Sequence, residues 1–400
     1  MLSVEEAQRK ILEKVTRMPS EDSTTKDALR HILAQDIVSP VDIPPFDNSA
    51  VDGFAVRSQD TPGASRKSPV RLVMKGTIAA GDTPALSVSR GECIKVMTGA
   101  AMPAGADSVV MIEDVRAEED GVLIFAPAEK GENIRRMGED IERSQVVLKE
   151  GSLLRPQELG VLASLGMARV SVVARPLVAL AATGDELVGI EEPLSPGKIR
   201  DSNRYSLAGL ITETGCVPLE LGIIPDRRQD MESAFRGALG QSDVLITTGG
   251  VSMGEYDLVR EVLSSIGEIV FWQVNMKPGK PLTFAVADGK PVFGLPGNPV
   301  SCMVSFEIFV RPALLAMMGH NTVFKDMVQA RAVSDIEKKK GRAEFKRGRM
   351  SRQGGILFVD LTGPQGSGIL TSMVKADGLV YLAEDRGPVS SGEEVSVIPL

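Results

Sequence analysis

The segments Val244-Leu245-Ile246-Thr247-Thr248-Gly249-Gly250-Val251-Ser252-Met253-Gly254, Asn275-Met276-Lys277-Pro278-Gly279-Lys280-Pro281-Leu282-Thr283-Phe284 and Phe293-Gly294-Leu295-Pro296-Gly297-Asn298-Pro299-Val300-Ser301-Cys302 follow one another closely. Each follows or interrupts an apolar run, as backbone does where it turns sharply at the edge of a sheet. The last segment predicts Asn298 at a helix N-cap, Pro299 at the first helical position and a helix over Val300–Met318. Proline there gives up an N–H that would have no helical partner anyway. The remaining free N–H groups attract anions. Lys277 and Lys280 add full positive charge if the sheet brings them alongside. Taken singly, each segment reads as an ordinary connection: a strand-to-helix turn, a pair of solvated lysines, a tight loop. Their coincidence points to a site for a phosphorylated or oxyanionic ligand.

Around this stretch, from Arg175 on, the rhythm is β-α-β-α. Strands are expected at Leu177–Ala182, Leu219–Ile224 and Val244–Thr247. Helices are expected at Arg204–Thr214, opened by Asp201-Ser202-Asn203 and closed by Gly215, and at Arg228–Leu239. Leu258, Val259, Val262, Leu263 and Ile266 form a further helical stripe. Such alternation predicts a mostly parallel, doubly wound sheet with ligands at the carboxyl ends of its strands. After His320 short strands such as Ile356–Leu361 and Glu394–Ile398, with Gly-rich turns, predict a β-barrel or sandwich. Upstream, Arg71–Met74, Cys93–Met97, Ser108–Glu113 and Val122–Phe125 read as strands of a small β-rich unit. Ser3 with Glu6 forms a capping box before an amphipathic run from Val4 to Val15. Further helices are expected at Lys26–Gln35 and Pro156–Leu165.

The chain of 400 residues has a net charge of −8, which argues against general nucleic-acid or acidic-membrane binding. An anion site must therefore be a local inversion of charge. Three widely spaced cysteines, Cys93, Cys216 and Cys302, make neither a disulfide scaffold nor a structural zinc site, and fit a reducing cytoplasm. Two histidines are too few for a histidine-rich metal site. A hard cation bound through oxygen is the expected metal. The N-terminus does not read as a signal peptide, and no uninterrupted apolar run of about 20 residues is present, so a soluble, cytoplasmic protein is expected.

Acidic residues fall at the same predicted strand ends. Thr183-Gly184-Asp185-Glu186 follows one strand, Asp226 another, and Asp257 lies beyond the Thr-Thr-Gly-Gly turn. Carboxylates beside an anion repel it unless a cation such as Mg²⁺ bridges them. The plainer reading is that they cap the helices that follow. Glu186 sits inside its turn and fits that reading least.

Two further segments bear on the family. Val41-Asp42-Ile43-Pro44-Pro45-Phe46-Asp47-Asn48-Ser49-Ala50-Val51-Asp52-Gly53-Phe54-Ala55-Val56 resembles the signature of the molybdopterin molybdotransferases, the MoeA and gephyrin E-domain family. Lys95-Val96-Met97-Thr98-Gly99-Ala100 and Gly138-Glu139-Asp140-Ile141 are also similar to family motifs, and with the three segments above the resemblance spans the chain. It implies an α/β plus β multidomain fold: an extended N-terminal linker and dimerisation domain (1–50 and 141–174), an inserted β-rich domain (51–140), a MogA-like doubly wound α/β domain (175–322) and a C-terminal β-barrel (323–400). It also implies a homodimer whose active sites are shared between subunits.

The implied reaction inserts molybdate into adenylylated molybdopterin, giving molybdenum cofactor and AMP, with Mg²⁺ screening the phosphates. The motif match carries over Asp52, Thr98, Asp140, Glu186, Asp226 and Asp257 as catalytic residues, with Glu186 and Asp257 as metal ligands. Thr183, Gly184, Gly249, Gly250, Ser252, Lys277, Lys280, Pro296 and Pro299 are expected to bind cofactor and oxyanion. Implied partners are a molybdopterin adenylyltransferase and apo-molybdoenzymes, with no nucleic acid and no membrane. Two positions depart from the pattern. Gln273 stands where some relatives have a basic residue. Arg227 stands where relatives often have a second Asp, which predicts a salt bridge to Asp226. The alternatives are a molybdopterin adenylyltransferase, disfavoured by Val251-Ser252 and by the extra β domains, and a non-catalytic gephyrin-like scaffold.

Overall fold

The computed structural model describes residues 1–249 and 258–400. The chain forms two compact units, Met1–Ser23 with Arg30–Ala34 and Ser171–Leu400, and Thr24–Leu29 with Gln35–Val170.

The smaller unit is built on a six-stranded sheet. Its strands are β1 (Gly53–Val56), β2 (Val70–Ile78), β3 (Glu92–Val96), β4 (Ser108–Met111), β5 (Val115–Glu118) and β6 (Gly121–Ile124), in the order β4-β1-β3-β2-β6-β5. The period of two sends Phe54, Val56, Cys93 and Val110 into one apolar cluster and Ala55, Ile94 and Val109 into another, so both faces are covered. The four strand segments expected from sequence all overlap members of this sheet.

In the larger unit, helix α1 (Val4–Leu12) is opened by the expected capping box. Ser3 Oγ accepts from the Glu6 N–H at 3.1 Å, and Glu6 accepts from the Ser3 N–H at 2.9 Å. The helix expected at Lys26–Gln35 does not form. Arg30 adopts a left-handed φ of 64°, and Leu33 instead makes an antiparallel bridge with Val172. Ala28, His31 and Ile32 are buried at helical spacing, so the burial pattern alone does not betray the extended chain. Helix α2 (Pro156–Ser164), in the smaller unit, forms as expected, with Pro at its start.

The α/β part of the larger unit carries β7 (Leu177–Thr183), β8 (Val217–Ile224), β9 (Val244–Thr248), β10 (Glu268–Gln273), β11 (Pro281–Ala287) and β12 (Lys290–Leu295). Their order is β8-β7-β9-β12-β11-β10; the first four run parallel, β11 runs antiparallel to β12, and β10 runs antiparallel to β11. Helices α3 (Asn203–Thr214), α4 (Arg228–Leu239) and α5 (Leu258–Ile266) supply the covering layers. The near-continuous apolar runs of β7 and β9 are buried because both faces are packed, Leu180 and Ile246 in one cluster and Ala181 and Leu245 in the other.

After β12 come α6 (Pro299–Ser305), a π-helical turn over Phe306–Val310, and α7 (Arg311–Met317). Pro312 has no N–H to give the Ile308 carbonyl, which accounts for the break in the α pattern. The 19-residue run Pro299–Met317 is long and apolar enough to cross a membrane, but 83% of its most apolar window is buried in the core.

The C-terminal strands β13 (Val328–Ala332), β14 (Ala343–Gln353), β15 (Ile356–Leu361), β16 (Gly378–Leu382) and β17 (Glu394–Pro399) pair in the order β14-β15-β13-β17-β16. Pairing of β14 with β16 closes them into a barrel. Met276–Lys277 adds to β14 in parallel, so the Lys-Pro-Gly-Lys segment joins the α/β part to the barrel.

Candidate functional site

The parallel strands end level with one another: Ala182 of β7 is in register with Thr248 of β9, and Thr248 with Leu295 of β12. The chain leaves β7 to form β8 on one side and returns to form β9 on the other. The gap between the ends of β7 and β9 is therefore the switch point where such sheets bind ligands. A cavity of about 610 Å³ opens there, lined by Thr183, Glu186, Thr248, Gly249, Pro296 and Pro299 among others.

The glycines at this edge are dictated by geometry. Gly249 has φ +94°, and a Cβ on it would lie 2.1 Å from the Thr183 carbonyl oxygen. Gly184 has φ +145°, and a Cβ on it would meet the Glu186 carboxylate at 2.6 Å. Glu186 thus folds back over the turn that carries it. Gly250, Ser252 and Asp257 lie outside the described residues.

The carboxylates of this edge gather in part. The Asp226 N–H donates to Asp185 Oδ1 at 3.2 Å. Desolvation, with the charges of Asp185 and Glu186, raises the Asp226 carboxyl above the usual carboxylate range. Arg227 does not neutralise it: its guanidinium lies 4.0 Å from Asp230, so the bridge expected from sequence forms to a different partner. Among the described residues no three acidic, histidine or cysteine side chains close into a ready-made metal cage.

Neither Lys277 nor Lys280 has a carboxylate partner among the described residues, and Lys280 precedes Pro281, which lines the cavity. Asn298 occupies the N-cap position in an extended conformation, yet its side chain makes no capping bond. The Val300 N–H donates instead to Ser367 O at 3.0 Å, tying the Gly-Ser-Gly segment of the barrel region to the start of α6.

Two buried polar side chains, of which Asn203 lines the cavity, were not singled out from the sequence. Arg347 on β14 is 1% exposed and has no carboxylate partner among the described residues. Its Nε–H donates to Ser372 Oγ at 3.0 Å and its Nη2 to Gly366 O at 3.1 Å, and burial pushes its pKa down. Asn203, read only as part of a helix opening, ties three turns together. Its Nδ2 donates to Thr248 Oγ1 at 2.9 Å and to Gly297 O at 2.8 Å. Asp201 holds the same helix start, accepting from the Arg204 N–H at 3.1 Å and from its Nε at 2.9 Å. The Asp-Ser-Asn sequence was the available signal for Asn203. For Arg347 only the fold reveals the burial.

In the smaller unit Asp52 and Thr98 are brought together. Asp52 Oδ1 accepts from the Thr98 N–H at 2.7 Å and from its hydroxyl at 2.9 Å, and the backbone bond leads in holding the carboxyl below its usual range. Asp140 is exposed, with its N–H held by Ile43 O at 3.1 Å.

Three family descriptions match: the MoeA N-terminal region, domains I and II, over residues 2–166; a probable molybdopterin binding domain over 179–316; and the MoeA C-terminal region, domain IV, over 329–400. A molybdopterin molybdenumtransferase of Haemophilus influenzae is 38% identical, aligned over 100% of this chain and 98% of its own. One of Bacillus subtilis is 36% identical over 99% and 94%. The molybdopterin biosynthesis MoeA protein of Pyrococcus horikoshii OT3 superposes with a TM-score of 0.86 at 32% identity, covering 100% of both chains. With the similarity running through both units from end to end, the chain belongs to the MoeA family.

Proposed function

We propose that this chain is a molybdopterin molybdenumtransferase that takes adenylylated molybdopterin and molybdate and releases AMP. The observation that carries this reading is a cavity at the switch point with Glu186 in its wall and the Lys277–Lys280 segment leading into that wall at Pro281. Asp185, Glu186 and Asp226 crowd one strand edge, while Lys277, Lys280 and the buried Arg347 supply cations without carboxylate partners among the described residues.

Water cleaves the phosphoanhydride, and AMP leaves with the bridging oxygen. Molybdate gives up one oxo group as water, taking both dithiol protons, as two molybdenum–sulfur bonds form. Arg347, Lys277 and Lys280 hold the molybdate dianion, which needs fixed donors because it would otherwise stay in water. The backbone of the Gly249 turn receives phosphate, since the Val300 N–H at the start of α6 is already donated to Ser367 O. Asp226, raised by desolvation and then by the charges of Asp185 and Glu186, belongs to the same acidic edge. That donor set fits Mg²⁺, which uses one or two carboxylates, waters and phosphate oxygens. Glu186 and Asp226 would hold it, with Asp257 as a further ligand, and it would supply screening of phosphate charge and polarisation of the phosphoryl oxygen. Asp52, Thr98 and Asp140 would complete the site from the second subunit of a homodimer. A cytoplasmic location, delivery of the intermediate by an adenylyltransferase and transfer of the product to apo-molybdoenzymes belong to the same reading.

The test is AMP release from adenylylated molybdopterin by purified protein with Mg²⁺, with and without molybdate. Molybdate-dependent release, with a product that activates a molybdenum-free apo-enzyme, is expected. Binding without release would favour a carrier or scaffold instead.

A further inference from the structure

Asn203 is 9% exposed, at the start of α3, and lines the cavity at the switch point. Its amide orientation is fixed by its neighbours. The Gly297 carbonyl can only accept, so the nitrogen must face it, at 2.8 Å. The second amide hydrogen goes to Thr248 Oγ1 at 2.9 Å, whose own hydroxyl donates to Pro296 O at 3.3 Å. Both donors of the amide are therefore spent within the protein. Oδ1 is buried and has no partner. An acceptor in this position costs stability unless a ligand or water satisfies it.

Oδ1 repels an ionised phosphate or molybdate, which bring only acceptors. It calls for an N–H or O–H donor. The cavity lining also includes the apolar Leu187, Ile199, Pro281 and Pro296, which suit a flat ring. Two parts of adenylylated molybdopterin combine a flat ring with N–H donors, the aminopyrimidinone edge of the pterin and the adenine; the pterin is the assignment, and AMP binding tests the adenine.

We infer that Asn203 Oδ1 accepts a hydrogen bond from the 2-amino group of the pterin and so selects an aminopterin over its oxo analogue. This rests on the proposed reading of the cavity as the molybdopterin site. A site built to hydrogen-bond a group rejects analogues that cannot supply it, because its own polar atom is then left unpaired.

The test uses the full chain with two fluorescent probes, 6-hydroxymethylpterin and 6-hydroxymethyl-lumazine, in which an oxo group replaces the amino group. The wild type is expected to bind the pterin at least about tenfold more tightly. Asn203→Leu should abolish that preference. Thr248→Val removes the hydroxyl that supports Asn203 but leaves Oδ1 in place, so it should weaken both probes while keeping the preference. The inference is overturned if folded Asn203→Leu still discriminates, or if Thr248→Val loses discrimination to the same extent, which would make Asn203 a tie between turns and nothing more. If Asn203→Leu weakens AMP binding and leaves the pterin preference intact, Asn203 faces the nucleotide and the assignment fails. Wild-type protein that binds neither probe nor molybdopterin overturns the reading of the cavity itself.

Discussion

Arg347 donates from Nε to Ser372 Oγ at 3.0 Å inside the larger unit, with no carboxylate opposite its guanidinium among the described residues. A buried cation held only by neutral acceptors is costly to keep, since desolvation disfavours its charged form. Under the proposed reading this cation is kept to hold an anionic substrate. Arg347→Met should then leave stability within about 1 kcal/mol of wild type, or raise it, because a charge has been exchanged for an apolar side chain. Activity at low molybdate should fall by roughly 100-fold, the scale of losing one preorganised charge-stabilising donor. Denaturant unfolding and a molybdate titration of AMP release separate the two effects. A variant with unchanged molybdate dependence would remove Arg347 from the anion site.

Gly249 offers a test of the turn itself. Its φ of +94° and the 2.1 Å approach of a would-be Cβ to the Thr183 carbonyl leave no place for a side chain. Gly249→Ala should cost about 1–3 kcal/mol from backbone strain, with the steric clash adding to it. The displaced edge between β7 and β9 should also lose most activity. A thermal melt and a turnover assay on the same preparation read both, and wild-type behaviour in each would show that the turn relaxes freely.

The pH dependence at Asp226 follows from its raised carboxyl. Desolvation, then the charges of Asp185 and Glu186, disfavours the ionised form. Any stability this gives is fully present below the unfolded-state value and is lost as pH rises through the folded one. At neutral pH the ionised group therefore opposes folding. Asp226→Asn should stabilise there by no more than about 0.5 kcal/mol, since the residue is largely exposed. Mg²⁺ should stabilise the wild type more than this variant. Melting curves from pH 4 to 8 with and without Mg²⁺ check the sign; equal Mg²⁺ stabilisation of both proteins would exclude Asp226 as a ligand.

At Asp52 the sign is reversed. The Thr98 N–H and then the Thr98 hydroxyl hold its carboxyl below the ordinary range, so any stability gained is present above the unfolded-state value and is lost as pH falls through the folded one. Thr98→Val removes one of the two donors. The acid limb of kcat/KM should move to higher pH in this variant while the fold survives. An unmoved acid limb would mean that the ionisation of Asp52 does not control the rate.

Local chemistry made much of the site legible. Pro299 announces a helix start by its missing N–H, and the Gly249 turn announces itself by following an apolar strand. Arg347 did not stand out because it is one of many basic residues between Lys338 and Arg352. Its burial depends on closure of the barrel between β14 and β16, a pairing that local sequence does not encode. The false helix at Lys26–Gln35 had acceptable composition, but the left-handed Arg30 and the bridge of Leu33 to Val172 obey long-range packing instead. Asn203 had a correct local reading at the helix opening. Its bond to Gly297 joins residues 94 apart, and only the assembled sheet edge reveals it.

Asp52 and Glu186 belong to different units of the chain, and that separation permits a test of the shared site. If each active site takes Asp52 from one subunit and Glu186 from the other, Asp52→Asn and Glu186→Gln homodimers should both be inactive. A heterodimer carrying one substitution on each subunit would have one doubly altered site and one intact site. Its rate should be about half that of the wild type, because the two sites of a symmetric dimer are equivalent. If both residues serve the site of their own chain, each site of the heterodimer keeps one defect and the rate stays near zero. Differently tagged subunits, purified in tandem and assayed for AMP release, decide between the two arrangements. Near-zero activity in verified heterodimers would place each complete site within a single chain.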